Sequence, residues 1–507
     1  MNRAICLVLG CLLSGCGSPK GATIPAAAKA AAPDDPLGGK PEVTMPPPFT
    51  PPAPVVYTSA NGMTVWLLER HELPIIALTL AIPTGSASDP ADKAGLAFAT
   101  ATMLDEGAGK LGALDLARAA ETLGASLRTG ASADFSYAQL TVLKSNFAPA
   151  SALLGDVVVR PTFPAVEWKR VKDLWLNDLK QRASEPEEVA GVVELAVLYG
   201  ATHPYGHPTE GLLASAAKIE LPDVARFYKD AWRPDRAVLV AVGDVTRAEL
   251  DERIGAALGG WKAPATPPPP VVTPAAPAGP WPRIVLVDRP DAPQSVLALV
   301  RPGVAAGDGD APPLGRVNVA LGGSFTSRLN QDLREEHGWS YGAHSRLTLT
   351  RGPGSIVASA AVHTEKTGEA LKALLADVDG YARGGMTDEE VVKTRLQARS
   401  ELVEMLQTVD GAALRLARDA ALGLGADYEA KASVRRDTAK KDELDKLAGL
   451  FFDTKQAIVV IVGPREKLEG PLAALGFTAL ELRDAEGNLT KPTRAEPKSA
   501  PPGRKPR

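Results

Sequence analysis

Four landmarks recur at a nearly fixed distance along this chain. Val65-Trp66-Leu67-Leu68-Glu69-Arg70 returns 219 positions later as Ile284-Val285-Leu286-Val287-Asp288-Arg289. Pro74 and Pro83 return as Pro293 and Pro302 at the same spacing. Ala237-Val238-Leu239-Val240-Ala241-Val242-Gly243 returns 220 positions later as Ala457-Ile458-Val459-Val460-Ile461-Val462-Gly463. Such an offset marks a duplicated unit, so the chain is expected to fold as two similar halves. The β-branched runs, with Leu78 to Ile82, read as buried strands. Between them, apolar residues recur at helical spacing over Leu114 to Leu123, Val166 to Arg182, Asp388 to Thr408 and Ala412 to Leu422. Each half therefore reads as α+β: a mostly antiparallel sheet packed with helices, the two homologous halves in a clamshell arrangement.

Proline marks the boundaries. Pro264 to Pro282, with Pro267-Pro268-Pro269-Pro270 inside it, reads as a semi-rigid linker over 264–283. It separates an N-terminal domain, 55–263, from a C-terminal one, 284–480. Residues 16–54 are rich in Ala, Pro and Gly and read as a tether, and 481–507 as a disordered tail. Ahead of the tether, Arg3 precedes an apolar run from Ala4 to Leu13, too short to span a bilayer as a permanent helix. The following Leu13-Ser14-Gly15-Cys16 resembles a bacterial lipobox, making 1–15 a lipoprotein signal peptide and Cys16 the lipidated first residue. An ordinary secretory signal with an incidental cysteine is the other reading. Gly17 at the next position implies, by resemblance to enterobacterial sorting, an outer-membrane lipoprotein facing the periplasm. All three cysteines lie in the first 16 residues, so a mature chain has no internal disulfide and depends on core burial. With a net charge of −4 there is no basic excess to favour a nucleic-acid partner.

Gly95-Leu-Ala-Phe-Ala-Thr-Ala-Thr-Met-Leu-Asp-Glu-Gly107 reads as one helix after a loop. It resembles the zinc helix of the insulinase/pitrilysin-type metallopeptidases, the family that includes mitochondrial processing peptidase. There the pattern is Gly-Leu-Ala-His-x-x-Glu-His-Met-Leu-x-x-Gly. Two histidines on one helical face hold the zinc and the glutamate serves its water as base. Here Phe98 and Thr102 occupy the histidine positions and Ala101 the glutamate position. The resemblance places the third ligand near Asn177, with Asp178 beside it. Phe has no lone pair for a metal, Ala is no base, and Thr and Asn are weak ligands. No metal is therefore expected in this chain. Read alone, the segment is also compatible with an ordinary core helix, and Asp105 and Glu106 read as solvated acids near its end.

The rest of the chain carries the same resemblance over about residues 55 to 480. Asn61-Gly62-Met63-Thr64-Val65 looks like the family's opening turn and strand, and Arg160-Pro161-Thr162-Phe163 precedes the third-ligand helix. Tyr199-Gly200-Ala201-Thr202-His203-Pro204-Tyr205-Gly206-His207-Pro208 is similar to its Tyr-Gly-x-x-His-Pro-Tyr-Gly-x-Pro signature. Pro204 and Gly206 prevent His203 and His207 from sharing a helical face, so this motif reads as a rigid surface turn. In the second half, Arg328-Leu329 and then Leu333-Arg334-Glu335-Glu336-His337-Gly338-Trp339-Ser340-Tyr341 resemble the signature whose Arg and Tyr complete a proteolytic site. Arg334 and Tyr341 take those positions, with Arg328 and His337 weaker candidates. A local pairing of Arg334 with Glu335 or Asp332, and a Tyr341 packed in the sheet, is the structural alternative.

The resemblance implies a catalytically incomplete member without activity of its own, anchored to the membrane by its lipid. It would pair with a zinc-bearing homologous subunit and supply Arg334 and Tyr341 in trans for hydrolysis of unstructured peptide, the zinc residing in the partner. Two other readings stand beside it: a membrane-tethered peptide-binding or scaffold protein, and an autonomous metallopeptidase using Asp105, Glu106 and Asp178.

Overall fold

A computed structural model describes residues 47–280 and 283–490. The chain divides into two units, Met1–Pro47 and Pro48–Arg507, and both halves of the repeat lie in the second. The signal segment, Cys16 and most of the tether lie outside the described residues, as does the chain beyond 490.

Each half is built on a six-stranded sheet. In the first, Thr64–Glu69 runs parallel to Val238–Gly243, which pairs antiparallel with Ile75–Ile82. Ser136–Leu143 and Ser126–Ala131 follow antiparallel, and Val55–Thr58 forms the opposite edge. The second sheet repeats the plan. Arg283–Asp288 lies parallel to Ile458–Gly463, then come Gln294–Pro302, Ser355–His363 and Ser340–Thr348. The sequence repeat thus has a physical basis: in each half the opening and closing strands are hydrogen-bonded neighbours.

The closing strands are apolar at every position because both of their faces are covered. In Ile458–Gly463, Val459 and Ile461 face their own half's core, while Ile458, Val460 and Val462 face a helix of the other half. That helix is Pro186–Tyr199, which lays Val189, Ala190, Val193 and Val197 on the second sheet. Reciprocally, Val409–Ala421 of the second half lays Ala412, Ala413, Leu416 and Ala417 on Trp66, Ala77, Val240 and Val242 of the first sheet. The halves therefore exchange one helix each. Small residues on the second helix let it sit close to the strands, and Thr408 Oγ1 caps it by accepting from the Gly411 N–H at 3.1 Å.

The expected helices are present as Ala113–Thr122, Ala165–Arg182, Asp388–Gln407 and Val409–Ala421. Two expectations change. The Gly95–Gly107 segment is not one helix: helix Leu96–Thr102 stops, and Gly107–Ala108 pairs with Leu111–Gly112 as a short hairpin. The second half also runs past 480, since Glu481–Arg483 adds a parallel edge strand beside Arg283–Asp288.

The proline-rich linker is held by side chains of the first half. Thr266 O accepts from Arg233 Nη2 at 2.7 Å, and Ala275 O accepts from His203 Nε2 at 3.1 Å. Among the described residues no helix is long and apolar enough to cross a membrane.

Candidate functional site

Asp89 fixes the start of the helix that carries Phe98, Ala101 and Thr102. Its carboxylate accepts from the N–H groups of Gly95 (2.7 Å), Leu96 (3.1 Å) and Ala97 (2.9 Å). These are orphan donors at a helix N-terminus, where a negative group is favoured. Burial pushes the Asp89 carboxyl up, to about 8, against the pull of those three bonds. Gly95 enters the helix at φ 102°, and a side chain there would meet the Trp175 ring at 2.7 Å.

Trp175 decides what the degenerate positions do. Its ring lies 5.7 Å from that of Phe98, and its Nε1 donates to Glu210 O at 3.0 Å. Ala101 is fully buried, while Thr102 is partly exposed. Asn177 and Asp178 lie two and three positions further along the same helix and are exposed. Aromatic carbon therefore stands where the family's metal would need donors, so these residues do not fit zinc. The inward face of helix Ala165–Arg182 is Trp168, Val171, Trp175 and Leu179. That spacing of three and four was a readable signal that Trp175, rather than Asn177, points at Phe98.

The acids at the end of the segment are not simply solvated. Glu106 pairs with Arg170, which also holds Glu167 at 2.7 Å. Asp105 is partly buried, and burial pushes its carboxyl up to about 6. Among the described residues no three His, Cys, Asp or Glu side chains are grouped to hold a metal ion.

The histidine turn works as an interface between the halves rather than as a surface feature. His203 stacks on Tyr199 at 5.0 Å, and its Nδ1 accepts from the Tyr205 N–H at 3.0 Å. Tyr205, almost fully buried, donates its hydroxyl to Asp134 at 2.7 Å and accepts from the Gly352 N–H at 3.0 Å. Asp134 also accepts from the Arg351 N–H at 2.8 Å. Residues of both halves thus converge on one carboxylate.

The second-half candidates separate into two kinds. Arg328 is a structural clamp. It grips Glu390 through two bonds of 2.7 and 2.6 Å, donates to Gly385 O at 2.9 Å and covers the Tyr381 ring at 4.7 Å. His337 is held by Asp332 at 3.1 Å and lies 4.0 Å from the Trp339 ring. Tyr341 behaves differently. It is the second residue of the edge strand Ser340–Thr348 and is 83% exposed, with the His363 ring at 6.4 Å. Arg334 lies over the Phe325 ring at 4.5 Å, with a loose 3.6 Å contact to Glu335. Phe325 is itself 68% exposed. An exposed phenol, a cation and an exposed aromatic ring thus stand in one short stretch of the second half. Neither hydrogen bond nor ion pair joins Arg334 to Tyr341 among the described residues. Phe325 was not singled out from sequence, because a lone surface phenylalanine carries no motif.

Comparison with known proteins agrees with this architecture. A profile described as "Insulinase (Peptidase family M16)" matches residues 64–200, and one described as "Peptidase M16 inactive domain" matches 218–398. A Mycobacterium bovis protein named an uncharacterized zinc protease is 27% identical over 66% of this chain and 76% of its own length. A Helicobacter pylori protein named a non-peptidase homologue is 27% identical over 38% of this chain and 44% of its own. Among solved structures, a peptidase M16 inactive domain from Pseudomonas fluorescens superimposes with a TM-score of 0.73 at 26% identity, covering 81% of this chain and 98% of that one.

Proposed function

Because the chain belongs to the insulinase (M16) peptidase family, we propose that it is the metal-free member of a two-chain peptidase. In this reading it pairs with a zinc-bearing homologue and lends Arg334 and Tyr341 to the partner's site for peptide hydrolysis. The observation that carries the reading is the exposed Tyr341, whose hydroxyl has no hydrogen-bond partner among the described residues. A phenol left free in this way is available to donate to the developing oxyanion of an attacked peptide carbonyl. Arg334, seven residues earlier, is suited to hold a peptide carbonyl or carboxylate. The filled pocket at Phe98 and Trp175 supports the division of labour, since zinc would have to come from the other chain. The name of the Helicobacter relative and the description of the Pseudomonas domain point the same way.

The substrate class is unstructured peptide, docking as an added strand beside Ser340–Thr348, which has one unpaired edge. Lipidation at Cys16 would hold the pair at the outer membrane, facing the periplasm.

Co-purification with a homologue that carries an intact His-x-x-Glu-His motif, together with peptide hydrolysis only by the pair, is the expected result. Full activity of the zinc-bearing chain alone would sink the proposal. A pair whose activity ignores Tyr341 would instead identify a scaffold.

A further inference from the structure

The two exchanged helices enclose a cavity of about 750 Å³ between the halves. Helix Pro186–Tyr199 turns Gly191, Glu194, Leu195 and Leu198 toward it, opposite the face that covers the second sheet. Helix Val409–Ala421 turns Gly411, Leu414, Arg415 and Arg418 toward it, the same positions 220 residues later. Phe135, Val300 and Val357 add further apolar wall. The volume falls within the range of roughly 300–1,000 Å³ of small-molecule sites, and the mostly apolar lining with a few polar groups is typical of them.

The polar groups differ in what they have left to offer. Arg415 is bonded to Glu429 at 2.6 Å, and Arg418 to Leu349 O at 3.0 Å and Asp419 at 3.2 Å. Asp134 and Tyr205 satisfy each other. Of the charged groups, Glu194 and Arg346 remain: they meet through one contact of 3.1 Å across the two halves, and the Arg346 side chain is half exposed. Glu194 is buried, with Arg346 as its one side-chain partner among the described residues.

We propose that this cavity binds an apolar carboxylic acid of the fatty-acid class, its tail against Leu195, Leu198, Val300 and Leu414 and its carboxylate on Arg346. A peptide is the poorer occupant. Each buried residue would bring an N–H and a C=O needing partners, whereas the wall is mostly apolar. An alkyl chain has no such requirement. Burial raises the Glu194 carboxyl to about 7, so near neutrality it also has a proton to donate to the incoming carboxylate.

The inference is independent of pairing with a zinc-bearing chain. It is tested by calorimetric titration of the full chain with dodecanoate, dodecanol and a short apolar peptide bearing a free carboxylate. Dodecanoate is expected to bind, with dodecanol weaker by about tenfold, as the loss of one charge-assisted bond requires. The peptide is expected not to bind. A Cβ at Gly191, which lines the cavity, meets nothing within 4 Å, so Gly191→Phe directs a ring into the cavity. It should weaken dodecanoate by about tenfold or more through lost tail burial, while Gly191→Ala keeps it. Arg346→Gln should bring acid and alcohol to similar affinities in a folded chain. Dodecanoate binding that survives Gly191→Phe, equal binding of acid and alcohol by the unchanged chain, no binding of dodecanoate, or tighter binding of the peptide would each overturn the proposal.

Discussion

The indole of Trp175 lies against the phenyl ring of Phe98, centroids 5.7 Å apart and planes inclined by 47°. The contact joins the two helices between which the family's metal would sit. It converts a place for donors into apolar core, and it sets what restoring the lost letters can achieve.

Phe98→His with Ala101→Glu and Thr102→His rebuilds the motif without its surroundings. Ala101 is fully buried, so a glutamate there costs about 2 kcal/mol or more as an unpaired acid. Trp175 still fills the gap and Asn177 still faces solvent. The triple variant is expected to melt lower and to carry no stoichiometric zinc after dialysis. Stoichiometric zinc at an unchanged Tm would show that the site is only dormant.

Tyr341→Phe removes a hydroxyl that makes no hydrogen bond among the described residues. Stability should stay within about 0.5 kcal/mol of the parent, as for surface changes away from special features. Peptide hydrolysis by the complex with the zinc-bearing partner should fall by about a hundredfold, as on losing one oxyanion donor. The kinetic measurement is kcat/KM on an unstructured peptide, compared with a urea midpoint. Equal activity of both forms would return Tyr341 to a surface role.

Tyr205→Phe breaks the joint between halves. Its hydroxyl donates to Asp134 and accepts from the Gly352 N–H, so both buried groups lose a partner. The cost should be about 1–3 kcal/mol in urea unfolding. Arg328→Lys should also destabilise, because a lysine cannot make both bonds to Glu390 and cover Tyr381. Neither change touches Arg334 or Tyr341, so the folded variants should retain partner-dependent activity.

Glu194→Gln should change how stability depends on pH. Burial raises the folded carboxyl from 4.5 to about 7, so the folded state holds this proton more tightly than the unfolded one. Its contribution therefore worsens as pH rises from about 4.5 to about 7 and is fully unfavourable above that. Urea midpoints of variant and parent at pH 5 and pH 8 should show the variant gaining on the parent at the higher pH. Parallel behaviour at both values would mean that Glu194 titrates normally.

Much of this was legible in one dimension. The offset between Val65 and Ile284, and between Ala237 and Ala457, marked two similar sheets, while the pairing of opening and closing strands as parallel neighbours came only from the structure. Helix ends came within a few residues, as at Arg182 and Asp388, whereas the helix Pro186–Tyr199 was not read from the sequence. The Gly95–Gly107 segment was read too long, because its turn is set by hairpin and Pro161 contacts made far along the chain. Counting 75 positions chose Asn177, whereas the buried face of that helix is decided by 3.6-residue periodicity and ends at Trp175.

The sequence by itself determined the local and periodic properties of the protein. These are two α+β halves, the linker between them, and the unsuitability of Phe98, Ala101 and Thr102 as zinc ligands or base, which is a matter of side-chain chemistry alone. Tertiary structure decided whatever depends on where distant segments meet. It put Trp175 into the gap, gave Asp89 to the helix start, made the His203 turn a joint, and exchanged helices between the sheets. It also left Tyr341 in solvent while drawing Arg328 into a clamp. A motif names its residues equally, but exposure and pairing are fixed only when the chain closes, because burial belongs to the packed surface as a whole.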